Sequence, residues 1–313
     1  MDVQVIKLYE DRDDVTLTTY ILTDSKEMLD GKARPAVLIC PGGAYISCSD
    51  REGEPVAMAF AAMGYHTFVL RYSVYGEQVF ATGFDKMEPK KECQFPMPMR
   101  EIGQAMMIIK ENAGSWHVDP DKIAICGFSA GAHNCAMYSV YWDKPEITDY
   151  FKKDKEIFRP AACILGYCLS DYMYMKENNT DKEFFDGSNM GFLGTKDPSD
   201  ELLMKVSPAL NVDANTPPTF LWATAADNLV PVQHSIRMVH ALADHHIPFE
   251  MHIFEEGPHG LAVSTQASAA ARSQIYPDAA KWVPLADAWL KKRFAFDLPD
   301  MTDFERMLAE KGL

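Results

Sequence analysis

The sequence predicts an α/β fold: a doubly wound, mostly parallel sheet with antiparallel N-terminal strands. Three observations carry this. Short, nearly continuous apolar runs recur along the chain, as strands buried on both faces require. Segments of helical period lie between them. Before the first such run, Val15–Leu22 partly alternates apolar and polar residues, which is the pattern of a half-buried antiparallel strand.

In chain order, Val3–Leu8 can pair with that first strand. The buried-strand runs are Ala36–Cys40, Thr67–Leu70, Ile123–Cys126, Ala161–Leu165 and Thr219–Ala223. Phe249–Phe254 reads as a further strand nearer an edge. Glu54–Met63 places Val56, Ala59, Phe60 and Met63 on one helical face and stops at Gly64. Met99–Ala113, Ala132–Tyr141, Val232–His245 and Ala279–Phe294 are further helices. Two long polar segments with scattered aromatics, Val74–Pro98 and Asp171–Ser207, break the alternation and read as functional lids or partly helical caps. A single domain over residues 1–313 is expected, with insertions at about 74–98 and 171–207. The stretch Thr302–Leu313 gathers Phe304, Met307 and Leu308 on one helical face, to dock on its own domain or on a second subunit of a homo-oligomer.

The chain of 313 residues is 47% hydrophobic, enough for one large core. No apolar run approaches the roughly 20 residues of a membrane span. The start, Met1–Asp14, lacks a basic stretch followed by an apolar core, so no signal peptide is expected. A net charge of −15 would repel a phosphate backbone, so neither nucleic acid nor membrane is an expected partner. Seven scattered cysteines form no metal-type pair and suit reduced thiols in a cytoplasmic location, with Cys40 and Cys126 as small core hydrophobes. No metal and no cofactor are expected.

Gly127-Phe-Ser129-Ala-Gly131 follows directly on the run Lys122–Cys126. A Gly-x-Ser-x-Gly between a strand and a helix is a tight turn that lifts the serine Oγ above the sheet, while the helix start offers free N–H groups to developing negative charge. A serine hydroxyl needs a base, and the base needs an orienting acid. In an open α/β sheet these groups gather at the carboxyl ends of the strands. Asp227 lies just past Thr219–Ala223, and His259 lies between Gly257 and Gly260 just past Phe249–Phe254. The order Ser129, Asp227, His259 is the nucleophile–acid–base order of the α/β-hydrolase fold. Asp171, which follows Ala161–Leu165, is the rival acid, and none of the eight other histidines follows the last strand in a Gly-rich turn. The loop Pro41-Gly-Gly-Ala-Tyr45 follows strand Ala36–Cys40, and glycine pairs let a backbone present consecutive N–H groups. The oxyanion donors are therefore expected to be the N–H groups of Gly43, Ala44 and Ala130.

Taken together, Pro41–Tyr45, Arg51-Glu-Gly-Glu-Pro55, Gly64-Tyr65, Leu70–Val74, Asp119–Ile123, Gly127–Gly131, Asp227–Pro231 and His259-Gly260 resemble the serine esterase/lipase branch of the α/β-hydrolases. They are most similar to the bacterial carbohydrate acetylesterases of acetylxylan-esterase type, from about residue 33 to about 295. One departure separates the chain from the hormone-sensitive-lipase relatives: their His-Gly-Gly-Gly is here Pro41-Gly-Gly-Ala44. The resemblance implies hydrolysis of short-chain, above all acetyl, esters on carbohydrates such as acetylated xylo-oligosaccharides, through an acyl-enzyme. Tyr45, Tyr167 and the two long segments would line the substrate pocket. Two alternatives stand beside this. One is a small amidase or peptidase of the same fold, arylformamidase-like or an aminoacyl hydrolase; the other is a binding protein with a relic triad.

Overall fold

Alternate residues of a strand face opposite sides of its sheet, and in the centre of this chain both sides are buried. In a computed structural model, which describes residues 1–28, 31–296 and 298–312, eight strands form one sheet. They are β1 (Asp2–Tyr9), β2 (Arg12–Ile21), β3 (Arg34–Cys40), β4 (His66–Arg71), β5 (Val118–Phe128), β6 (Ala162–Gly166), β7 (Thr219–Thr224) and β8 (Phe249–Phe254). Their order is β1-β2-β4-β3-β5-β6-β7-β8, with β1–β2 and β2–β4 antiparallel and the rest parallel. This is the predicted doubly wound, mostly parallel sheet with antiparallel N-terminal strands, and β8 is an edge strand as expected.

Leu38, Ile125, Leu165 and Leu221 face a core closed by helices Met97–Glu111, Ala130–Tyr141 and Gln233–Asp244 through Ile102, Met106, Tyr138 and Met238. Their strand neighbours Ile39, Cys126, Ile164 and Trp222 face a second core closed by helices Glu54–Ala61 and Trp282–Phe294 through Phe60, Trp282 and Trp289. The continuous apolar runs follow from this two-sided cover. All seven cysteines are free and buried.

Several element boundaries differ from the sequence reading, most of them by a few residues. β5 starts at Val118, because Val118 pairs with Arg34 ahead of a register irregularity. The segment Asp171–Ser207 is largely helical, with helices Tyr172–Asn178, Lys182–Leu193 and Asp200–Lys205. Asp171, Asp181 and Ser199 each cap one of them by accepting a backbone N–H. Val74–Pro98 keeps only short turns of helix at Val79–Thr82, Phe84–Lys86 and Lys91–Cys93 before helix Met97–Glu111 begins at its end. The C-terminal helix Asp303–Glu310 opens on a Thr302/Glu305 capping box and leaves Phe304 and Met307 exposed, so it does not bury them against the other described residues. Leu313, the end of the stretch expected to be helical, lies outside the described residues. Among the described residues no helix is long and apolar enough to cross a membrane.

Burial lowers His66, His133 and His234 to about 4 each, so all three are neutral in the folded chain at neutral pH. A depressed folded-state value contributes stability above the unfolded value of ~6.5, and that stability is lost as pH falls toward the folded value. The denaturant midpoint should therefore fall from pH 7 to pH 5. His66 accepts the Leu22 N–H away from the strand ends that carry Ser129, so His66→Gln should make the fall shallower. An unchanged pH slope in that variant would contradict this linkage.

Candidate active site

Ser129 stands between β5 and helix Ala130–Tyr141 with φ 51° and ψ −120°, a conformation L-residues avoid. The glycines around it are dictated by contact. A Cβ on Gly127 would lie 2.3 Å from the Gly131 carbonyl oxygen, and one on Gly131 would lie 2.1 Å from that of Cys40. The Ser129 N–H donates to the Gly166 carbonyl at 3.1 Å, which ties the turn to the end of β6.

Asp227 follows β7 and is 6% exposed. Its Oδ1 accepts the N–H groups of Leu229 and Val230, both at 3.0 Å, which fixes the carboxylate against its own turn. Its Oδ2 lies 2.7 Å from His259 Nδ1, and His259 Nε2 lies 2.8 Å from Ser129 Oγ. With a carboxylate on one side and a hydroxyl on the other, Nδ1 donates to Asp227 and Nε2 accepts from Ser129. The His259 loop is held where the Thr224 hydroxyl donates to the Gly257 carbonyl at 2.7 Å. Asp171 stands apart from this set: it caps helix Tyr172–Asn178 and pairs with Arg237 at 3.1 Å.

The Pro41–Tyr45 loop packs against the same turn. A Cβ on Gly42 would fall 2.9 Å from Ser129 Cβ. Gly43, Ala44 and Tyr45 all have positive φ, which curls the loop so that its amides do not pair along it. Among the described residues the N–H groups of Gly43, Ala44 and Ala130 donate to no protein acceptor.

Above Ser129 and His259 lies a cavity of about 230 Å³ with a largely apolar lining. Both long segments wall it, through Phe80 from the first and Tyr172, Met175 and Phe184 from the second. Tyr45 lines it too, but its ring stacks on Phe192 at 4.0 Å and its hydroxyl lies 2.6 Å from His133 Nδ1. His133 Nε2 lies 2.8 Å from the Val206 carbonyl, so it must donate there, and Nδ1 accepts from Tyr45. Tyr167 corrects the sequence reading. It does not line the cavity; its ring lies edge-on to His259 at 4.9 Å and its hydroxyl donates to Glu52 at 2.6 Å. The residue after a parallel strand can face either sheet side, and with φ 38° the Tyr167 backbone turns its ring into the core of Trp222 and Phe128. Sequence reasoning assigned no role to Glu52 or Arg51, which also line the cavity. The only signal was their place in Arg51–Pro55, which has no local chemical pattern. Among the described residues no cluster of three or more His, Cys, Asp or Glu side chains could hold a metal ion.

The family model described as BD-FAE matches residues 25–242. Endo-1,4-beta-xylanase B of Butyrivibrio fibrisolvens is 33% identical over 236 residues, 75% of this chain and 34% of that protein. The crystal structure of MGS-M1, an alpha/beta hydrolase enzyme from a Medee basin deep-sea metagenome library, superposes with a TM-score of 0.71 at 32% identity, covering 95% of this chain and 99% of that one. An acetyl ester-xyloside bifunctional hydrolase from Caldicellulosiruptor lactoaceticus superposes with a TM-score of 0.70 at 27% identity, covering 92% and 96%. The chain spans a third to a half of the length of the curated relatives it matches.

Gly131→Ala tests the contact that shapes the turn. The added methyl meets backbone on both Cys40 and Pro41, so unfolding in denaturant should show a loss of about 1–3 kcal/mol or more. Wild-type stability in that variant would contradict the packing described.

Proposed function

The chain belongs to the BD-FAE family of the α/β-hydrolase superfamily, and from that premise we propose that it hydrolyses carboxylic esters through Ser129. The observation that carries this is the hydrogen-bonded run from Asp227 to His259 to Ser129, at 2.7 and 2.8 Å, beneath the cavity. Ser129 Oγ attacks the ester carbonyl as His259 Nε2 takes its proton. Asp227 holds the proton on Nδ1 and stabilises the imidazolium. The charge that builds on the carbonyl oxygen meets the N–H groups of Gly43, Ala44 and Ala130, for which no acceptor among the described residues competes. The tetrahedral species collapses, His259 gives its proton to the leaving alcohol, and water then releases the acid from the acyl-Ser129 ester by the same steps.

The substrate in this reading is a short-chain ester, above all acetyl, of a carbohydrate such as an acetylated xylo-oligosaccharide. A small, largely apolar cavity over the nucleophile supports a compact acyl group, and the names of the xylanase and the acetyl ester-xyloside hydrolase support a plant-polysaccharide setting. The net charge of −15 favours a neutral sugar over a polyanion. A small amide such as an arylformamide is the second reading, favoured by the rings of Phe80 and Phe184 in the cavity wall.

Ser129→Ala should lower hydrolysis of p-nitrophenyl acetate by on the order of 10³ or more while the chain stays folded by circular dichroism; full activity would remove Ser129 from the mechanism. Asp227→Asn should lower kcat by on the order of 10⁴, as expected when an acid no longer fixes the histidine tautomer. Asp171→Asn should cost far less, and the reverse order would reassign the acid. A series of aryl esters from acetate to octanoate, run beside acetylated xylo-oligosaccharide and N-formylkynurenine, should give the highest kcat/KM at acetate and release acetate from the sugar. Preference for the formamide would select the second reading.

A further inference from the structure

The geometry points to Glu52 as a positioning residue that ties the oxyanion loop to the loop carrying His259. This rests on the reading of Ser129 as the nucleophile. Glu52 ends the short turn Asp50–Glu52 and is 4% exposed. Its Oε2 accepts the Gly42 N–H at 2.7 Å, and its Oε1 accepts the Tyr167 hydroxyl at 2.6 Å. The Tyr167 oxygen in turn accepts the Ala262 N–H at 3.0 Å, three residues beyond His259. The Ala262 carbonyl accepts from Trp282 Nε1 at 2.9 Å, so that residue is held from both sides. The run Gly42–Glu52–Tyr167–Ala262 thus crosses from the end of β3 to the loop after β8, passing under the His259 ring.

The donors and acceptors explain why this residue is a carboxylate. Two donors, an N–H and an O–H, point at its two ends. Only a carboxylate of this length accepts at both; a glutamine would turn an NH₂ toward one of them. The other partner of the Tyr167 hydroxyl, the Ala262 N–H, is itself a donor, so the hydroxyl proton goes to Glu52. Burial first, and the neighbouring Glu52 second, push the Tyr167 hydroxyl well above its ordinary value, so it remains a donor. A buried carboxylate is costly without hydrogen bonds, and here each oxygen accepts one.

The connection bears on rate because Gly42 lies against the nucleophile, with Gly43 and Ala44 next along the chain. A shift of the Gly42 N–H moves the expected oxyanion donors relative to Ser129 Oγ. Those donors act on charge that exists only in the transition state. Loosening the connection therefore lowers kcat and leaves KM nearly alone.

Glu52→Gln, Tyr167→Phe and the double variant test this, with p-nitrophenyl acetate kinetics, thermal unfolding and inhibition by an aryl trifluoromethyl ketone, whose hemiketal oxyanion needs the same donors. Each single variant should lower kcat by about tenfold to a hundredfold, keep KM within about twofold and weaken ketone inhibition in step with kcat. Because both variants interrupt the same run of bonds between Gly42 and Ala262, the double variant should be no worse than about twofold below the poorer single. If Glu52→Gln does not fold, Tyr167→Phe alone carries the test through the same readouts. Losses that multiply in the double variant, a rise in KM alone, or wild-type kcat in both singles would overturn the positioning role. A wild-type chain that hydrolyses no ester would overturn the reading of Ser129 itself, and this role with it.

Discussion

Backbone meets backbone around Ser129 at distances that leave no room for a methyl group. Gly131 lies under the carbonyls of Cys40 and Pro41, Gly127 under that of Gly131, and Gly42 against Ser129 Cβ. These contacts hold the turn after β5 and the loop after β3 as one rigid piece. They also hold Ser129 in a backbone conformation it would not adopt alone, near φ 51° and ψ −120°. Everything else at the site is arranged relative to that piece.

The remaining groups reach it from the ends of neighbouring strands. β5 to β8 run parallel and side by side, so their carboxyl ends deliver Ser129, Tyr167, Asp227 and His259 to one rim. Each is then fixed by a backbone or buried partner. Asp227 takes two amides of its own turn, and Thr224 holds Gly257. Tyr167 packs edge-on to His259 and Trp222. In the proposed reaction, such preorganisation would make a weak nucleophile usable, because no group would have to find its place while charge develops. The two long segments contribute differently: they close the cavity with aromatic and aliphatic side chains and supply none of the hydrogen bonds in the Asp227–His259–Ser129 run.

What the sequence made legible was local. Apolar runs marked the parallel strands because both of their faces are covered. Ser129, Asp227 and His259 could be found because each follows a strand within a few residues, two of them in glycine-rich turns. The Pro41–Tyr45 loop beside Ser129 could be found because Gly42-Gly43 lies two residues past the end of β3. Glu52 and Tyr167 were not legible in the same way. Their bond joins residues 115 positions apart, and no period or spacing encodes it. The sequence reading puts Tyr167 in the substrate pocket, yet which side of the sheet the residue after β6 faces depends on the φ of that one residue. The segment 171–207 reads only as a partly helical cap because its helices open on Asp or Ser caps, and the first two face the cavity rather than the sheet, which leaves no long apolar stripe to mark their bounds.

The central claim is that Ser129, activated by His259, forms a covalent intermediate. Intact-mass analysis after treatment with an aryl fluorophosphonate, followed by peptide mapping, tests it most directly. The account predicts one adduct per chain, on Ser129, forming far more slowly in His259→Ala. No adduct, or an adduct on another residue with Ser129 unmodified, would contradict it.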